Sequence, residues 1–228
     1  MVKKSERKEN EKSKENGMVE VVFILDRSGS MSGLEEDTIG GFNSMLEKQK
    51  AESENIVWST VLFDHYQEVI HDRVPVSEVE PLTDNEYYVR GTTALLDAVG
   101  KAIHHIGMCH KYAKAEDRPV KTMFVITTDG MENASRRYSY RRVKEMIERQ
   151  KKRYDWEFIF LGANINAEEV GHRMGIDRGR SATFTNDGRG IRQNYETVAC
   201  VMGKVSRCED ILDEDLDAIR ADHRSRKS

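Results

Sequence analysis

The stretch Val21-Val22-Phe23-Ile24-Leu25-Asp26-Arg27-Ser28-Gly29-Ser30-Met31-Ser32-Gly33 decides how this 228-residue chain is read. Five consecutive apolar residues, rich in branched side chains, predict a strand buried on both faces, as in the middle of a parallel sheet. The run then breaks into a polar loop that opens on an acid and carries two hydroxyls at alternate positions, so that Asp26, Ser28 and Ser30 spell D-x-S-x-S. In open α/β sheets, ligands bind where loops leave the carboxyl ends of central strands. A loop that turns alternate side chains inward aims one carboxylate and two hydroxyls at a single point. That donor set suits a hard divalent cation, Mg²⁺ or Mn²⁺.

Two later stretches complete a pattern. Arg90-Gly91-Thr92-Thr93-Ala94-Leu95-Leu96-Asp97-Ala98 places a threonine at the opening of a helix-spaced apolar run, and Phe124-Val125-Ile126-Thr127-Thr128-Asp129-Gly130 ends a second buried strand on T-D-G. In this order the three pieces resemble the metal-ion-dependent adhesion site (MIDAS) of von Willebrand factor A (VWA) domains. The resemblance implies five metal ligands: Asp26, Ser28, Ser30, Thr93 and Asp129. The hydroxyls would bind directly, and one or both aspartates through bound water. It further implies a metal-dependent protein-binding module, an intracellular scaffold that presents Mg²⁺ or Mn²⁺ to an Asp or Glu of a protein partner. Thr92 stands where the family often has glycine. The likeness covers about residues 18 to 206 and is nearest to the stand-alone VWA proteins of bacteria and phages, tellurium-resistance-type clusters included. Each ligand also has an ordinary reading: Asp26 and Ser28 as a cap or turn, Thr93 as an N-cap, Asp129-Gly130 as a turn pair.

The rest of the chain supplies a fold around these loops. Leu34 to Lys50 has helical spacing, and Gly40-Gly41 within it reads as close approach of that helix to the sheet. Ile56 to Phe63 and Tyr66 to Val74, separated by Asp64-His65, predict a hairpin. Thr93 to His110 is an amphipathic helix, Thr122 to Thr127 a central strand, and Val143, Met146 and Ile147 the inner face of a further helix. Trp156 to Leu161 is a fifth strand, followed by Gly162-Ala163-Asn164, to which no chemistry attaches. Ser181 to Phe184 reads as a short edge strand and Ile191 to Val205 as a long helix. The acidic run Asp210 to Asp217, with Ile211, Leu212, Leu216 and Ile219 at helical spacing, predicts a last helix. Alternating strands and helices give the class: α/β, doubly wound, a mostly parallel six-stranded sheet with one antiparallel edge hairpin, a single Rossmann-like domain of the VWA type. The expected layout is a disordered charged arm over 1–17, the VWA domain over 18–206, and an acidic helix with a basic tail over 207–228.

Composition excludes several classes. The formal net charge is −4, which gives no overall bias toward nucleic acid or an anionic membrane. No apolar run approaches the roughly 20 residues of a membrane span, and the basic N-terminus lacks the apolar core of a signal peptide. Three cysteines, Cys109, Cys200 and Cys208, without a C-x-x-C, argue for reduced thiols and a cytoplasmic location. Oligomeric state is not fixed by the sequence. No catalytic base, triad or phosphate loop accompanies the hydroxyls, so the chain is read as a non-enzyme. The alternatives are a metal-assisted phosphohydrolase, a regulator of a partner ATPase, kinase or phosphatase, and a structural oligomer that loads no metal. His104, His105, Cys109 and His110 lie on one helix, but no second ligand pair accompanies them to build a zinc site. Arg27 and Met31 fall out of the alternation, and Arg27 is expected to face solvent or a partner. Arg136, Arg137, Tyr138, Tyr140, Arg141 and Arg142 form a basic aromatic stretch after Asp129. It reads either as a contact for an acidic or phosphorylated partner or as the solvated first turn of a helix.

Overall fold

The computed structural model describes residues 17–226; all but the last residue of the expected charged arm, and the last two residues of the basic tail, lie outside the described residues. Six strands form one sheet in the order β3-β2-β1-β4-β5-β6. They are β1 (Val19–Asp26), β2 (Ile56–Phe63), β3 (Gln67–Pro75), β4 (Lys121–Asp129), β5 (Glu157–Ala163) and β6 (Ser181–Phe184). β1 pairs in parallel with β2 on one side and β4 on the other, and only β2 and β3 run antiparallel, at one edge. The expected doubly wound, mostly parallel sheet with an edge hairpin is the observed fold.

Every residue of β1 is buried, because each face of the sheet carries helices. The pleat splits its side chains between two cores. Val21, Phe23 and Leu25 pack with α1 (Glu35–Glu52) and α5 (Gly188–Ser206), whereas Val22 and Ile24 pack with α2 (Leu95–Tyr112), α3 (Tyr140–Tyr154) and α4 (Ala167–Arg173). Aromatic rings anchor the first core: Phe23 stacks on Trp58 with centroids 4.6 Å apart, and Phe42 of α1 meets both edge-on at 5.8 and 5.7 Å. Burial of such rings is the main driving force for closing the layers.

Parallel register brings the functional ends together. Leu25 of β1 lies opposite Thr127 of β4, and Asp129 lies opposite Ala163 of β5. Asp26, Asp129 and the Ala163-Asn164 turn therefore emerge at one edge of the sheet.

Two expectations are corrected. The glycine pair in α1 does not let that helix approach the sheet. A Cβ on Gly41 would fall 2.3 Å from the Tyr195 ring of α5, while one on Gly40 would meet nothing within 4 Å, so the glycine serves a helix–helix contact. The acidic run after α5 is not helical throughout. It makes a short 3₁₀ turn, Asp213–Leu216, before α6 (Asp217–Ser225). The acids stay at the turn because Asp215 accepts bonds from the Leu212 amide at 2.8 Å and Lys204 Nζ at 2.6 Å. Ile211, Leu216 and Ile219 reach the same core as Phe23 and Phe42.

The two neighbouring glycines should respond in opposite directions to one methyl group. Gly41→Ala is expected to destabilise by about 1–3 kcal/mol through overpacking, and Gly40→Ala to stabilise by up to about 1 kcal/mol through helix propensity. Thermal denaturation resolves the signs, since each kcal/mol moves the midpoint by about 2–4 °C at this chain length.

Candidate metal centre

Asp26, the last residue of β1, is 2 % exposed and its carboxylate is held on both oxygens. Oδ1 accepts from the Ser28 amide at 2.7 Å, and Oδ2 accepts from Thr128 Oγ1 at 2.6 Å and the Asp129 amide at 3.3 Å. Burial pushes the Asp26 carboxyl above its ordinary range, against the bonds from Ser28, Thr128 and Asp129 that favour the ionised form.

The three predicted hydroxyls meet beside it. Thr93 Oγ1 donates to Ser28 Oγ at 3.0 Å, Ser28 Oγ lies 3.3 Å from Ser30 Oγ, and Ser30 Oγ donates to the main-chain carbonyl of Asp129. Asp129 thus joins through its backbone. Its carboxylate accepts from Asn164 Nδ2 on one oxygen and Asn186 Nδ2 on the other. Burial raises the Asp129 carboxyl as well, opposed by the Asn164 amide.

These residues fit a divalent cation in two respects. Adjacent vertices of an octahedron of about 2.1 Å radius are separated by about 3.0 Å, close to the 3.0 and 3.3 Å that separate Ser28 Oγ from Thr93 Oγ1 and from Ser30 Oγ. Neither Asp26 nor Asp129 has a Lys, Arg or His ion-pair partner among the described residues, so two buried carboxylates stand side by side with no compensating charge. Such an arrangement is costly unless a cation completes it. Ser30 is exposed and leaves the cluster open to solvent.

The ordinary capping readings account for less of the geometry. The Asp26 bond to the Ser28 amide is a turn contact, but the Ser28 side chain caps nothing on the 3₁₀ turn Gly29–Met31. Thr93 is not the N-cap of α2, a position held by Ala94 without a side-chain bond. The loop after β4 instead clamps Thr93: Asn133 Oδ1 accepts its amide at 3.0 Å, and its carbonyl accepts from the Asn133 and Ala134 amides at 3.1 and 3.2 Å.

Several supporting residues were not legible as such. Thr128 reads as one more β-branched strand residue, Asn186 lies in an unmarked loop, and the Gly162-Ala163-Asn164 segment, to which the sequence attaches no chemistry, supplies Asn164 as a donor to Asp129. Arg27 is the clear correction: it faces neither solvent nor a partner but is fully buried. Its guanidinium donates to Asp64 at 3.3 Å, Glu68 at 2.6 Å and the Glu86 carbonyl at 2.9 Å, and lies 5.0 Å from the Tyr88 ring. Asp64 also takes Arg90 Nε at 2.7 Å and the Tyr66 amide at 2.7 Å. Burial of Asp64 pushes its carboxyl up, but the Arg90 bond, the Tyr66 amide and the two arginine charges outweigh that and hold it below its ordinary range. The loop alternation survives the correction. Asp26, Ser28 and Ser30 turn one way, and Arg27 turns the other way into an ion network under the Thr93 loop.

The histidine-rich end of α2 breaks into separate pairs, His105 with Asp72 at 2.8 Å and His110 with buried Glu20. Among the described residues no three His, Cys, Asp or Glu side chains are grouped to hold a metal.

No protein-family model matches the chain, and no curated protein matches it. Solved structures match at the level of fold. The von Willebrand factor domain of the type V pilus tip protein Mfa5 from Porphyromonas gingivalis has a TM-score of 0.58 at 10 % identity, covering 87 % of this chain and 99 % of that one. The pilus adhesin SpaC from Lactobacillus rhamnosus GG has a TM-score of 0.63 at 9 % identity, covering 83 % of this chain and 30 % of that one. Proximal thread matrix protein 1 of the mussel byssus, solved with a zinc-occupied MIDAS motif, has a TM-score of 0.57 at 13 % identity, covering 82 % of this chain and 46 % of that one. The chain spans about half the length of the byssus protein and less than a third of the adhesin. The fold is that of a VWA domain.

The Arg27 network carries its own expectation. Arg27→Met should destabilise by up to about 3–5 kcal/mol at neutral pH, because it strips buried Asp64 of one of its two arginines and leaves the Glu86 carbonyl without its donor. Arg27→Lys should recover only part of that, since one ammonium cannot serve three acceptors in a fork. Asp64, with its depressed folded-state pKa, contributes stability that is present above about pH 3.9 and lost as pH falls through the folded value. The gap between wild type and Asp64→Asn in urea unfolding should therefore be full at pH 7 and shrink in strong acid.

Proposed function

We propose that the chain is a metal-dependent protein-binding module in which Asp26, Ser28, Ser30, Thr93 and Asp129 hold Mg²⁺ or Mn²⁺ and a partner protein supplies an acidic side chain. The observation that carries this reading is the pair of buried carboxylates without a basic partner among the described residues, set against three hydroxyls 3.0 and 3.3 Å apart at an open edge. A divalent ion held largely by neutral hydroxyl oxygens keeps much of its charge and accepts a further carboxylate from outside. The chain's own residues set the geometry for that event. Thr128 and the Asp129 amide fix Asp26, Asn164 and Asn186 fix Asp129, and the Asn133 clamp fixes Thr93. The hydroxyls bond one another and a main-chain carbonyl, an arrangement suited to coordination rather than nucleophilic attack. The zinc-occupied MIDAS of the byssus protein and the adhesive role named for SpaC support the same reading. A reducing, cytoplasmic location rests on the cysteines, which form no disulfide among the described residues.

Calorimetry with Mg²⁺ and Mn²⁺ tests the centre. Ser28→Ala and Thr93→Ala should each weaken binding at least about 10-fold, and Asn164→Ala should cost about 10–100-fold through loss of support to Asp129. Affinity capture from lysate with and without chelator tests the function. Partners retained equally in EDTA would overturn it.

A further inference from the structure

The segment from Arg136 to Arg153 carries nine Lys and Arg and two Glu, in a chain whose net charge is −4. Positive charge is thus concentrated on one element while the remainder is acidic. The element begins in the loop that leaves Asp129 and clamps Thr93, so this basic surface adjoins the proposed metal centre. Ala134 bonds the Thr93 carbonyl, and chain geometry keeps the Arg136 Cα within about 7 Å of the Ala134 Cα.

The backbone beneath the arginines is unusually fixed. Asp97 accepts from three successive amides, those of Arg136 at 3.0 Å, Arg137 at 2.9 Å and Tyr138 at 2.8 Å. Glu132 accepts from the Leu96, Ala134 and Ser135 amides at 2.9, 2.9 and 2.7 Å. The Tyr138 ring packs where a Cβ on Gly100 would lie, 2.4 Å away. On this support the Arg136 and Arg137 side chains stand exposed, with no carboxylate partner among the described residues. Arg180, Arg192, Arg207 and Arg226 are paired with Asp213, Asp37, Glu209 and Asp187, whereas exposed Arg149, Arg153 and Arg178, like Arg136 and Arg137, have no ion pair among the described residues. What distinguishes Arg136 and Arg137 is their place on the anchored loop that clamps Thr93. An open hollow of about 520 Å³ is lined by Arg136, Arg137, Arg142 and Leu96, and by Glu132, whose carboxylate is taken up by the Leu96, Ala134 and Ser135 amides.

We infer that this hollow is a docking surface for an acidic segment of the protein partner, one that offers carboxylates to Arg136 and Arg137 beside the one offered to the metal. The inference rests on the metal-centre reading above for its choice of partner. Fixed backbone lowers the ordering cost of binding, and two unpaired arginines can each take a carboxylate as a fork. A nucleic-acid strand fits the surface less well. Base stacking needs open aromatic faces, yet Tyr138 packs against Gly100 and Tyr140 lies under the Arg173 guanidinium at 3.9 Å.

The test uses the full chain and a fluorescein-labelled peptide of alternating Glu and Gly, read by anisotropy in Mg²⁺ at low salt. Wild type should bind, Arg136→Ala/Arg137→Ala should bind at least 10-fold more weakly, and Lys48→Ala/Lys111→Ala, changed on other faces, should match wild type. EDTA separates the two claims. Binding lost in EDTA but unchanged in the Arg136→Ala/Arg137→Ala protein overturns the docking surface and leaves the metal reading standing. Binding lost in the arginine variant but indifferent to EDTA supports the surface and counts against the metal. Absence of wild-type binding, or displacement of the peptide by single-stranded RNA that binds more tightly, overturns the docking inference.

Discussion

Two carboxylates buried at the same sheet edge, with no basic side chain paired to them among the described residues, are the constraint from which the site follows. Asp26 ends β1 and Asp129 ends β4, and parallel pairing of those strands forces the two together. The chain answers with donors instead of charges: the Ser28 and Asp129 amides and the Thr128 hydroxyl for one acid, two asparagine amides for the other. Neutral donors favour ionisation without cancelling the charge. Both carboxyls sit above their ordinary pKa ranges, so desolvation still outweighs those bonds. The molecule has spent stability to keep an electrostatic deficit at an open edge, as binding sites commonly do.

The neighbouring network shows that this was not the only available solution. Asp64 directly follows β2, one strand away, and is equally buried, yet two arginines flank it, and its carboxyl lies below the ordinary range. Similar strand ends thus carry opposite electrostatic treatments. Where the acid is structural, the chain supplies Arg27 and Arg90; where metal is proposed, it supplies hydroxyls and amides.

The fold was legible because its signals are long. Five apolar residues before Asp26, the run before Asp129, and helices with clear apolar stripes each repeat their message over several residues. The convergence of Asp26, Ser28, Ser30 and Thr93 was legible because each occupies a strand or helix end in a fixed order. What escaped depended on single residues whose neighbours are set only by tertiary packing. Arg27 looks like a surface arginine in any window of sequence; its burial follows from Asp64 and Glu68, 37 and 41 residues away. Gly41 looks like a glycine for the sheet, and its true neighbour, Tyr195, is supplied by a helix near the other end of the chain. Asn164 and Asn186 carry no local signature because their role exists only once β5 and β6 stand beside β4.

Charge is partitioned on the outer face as it is on the inner one. Among the described residues, Asp26 and Asp129 lie without basic partners inside the sheet edge, and Arg136 and Arg137 stand without acidic partners on the loop that leaves it. Both departures from pairing meet on one short segment, since residues 129 to 137 contain Asp129, the clamp on Thr93 and the two exposed arginines. Asp97 and Glu132 hold that segment through main-chain amides, so its conformation does not depend on what the side chains contact. A rigid loop with free cationic ends loses little entropy when an anion arrives. The same anchored segment clamps Thr93, whose hydroxyl lies 3.0 Å from Ser28 Oγ. One anchored loop therefore serves both the inward geometry of the hydroxyls and the outward display of the arginines, so the proposed metal centre and the basic surface adjoin through it.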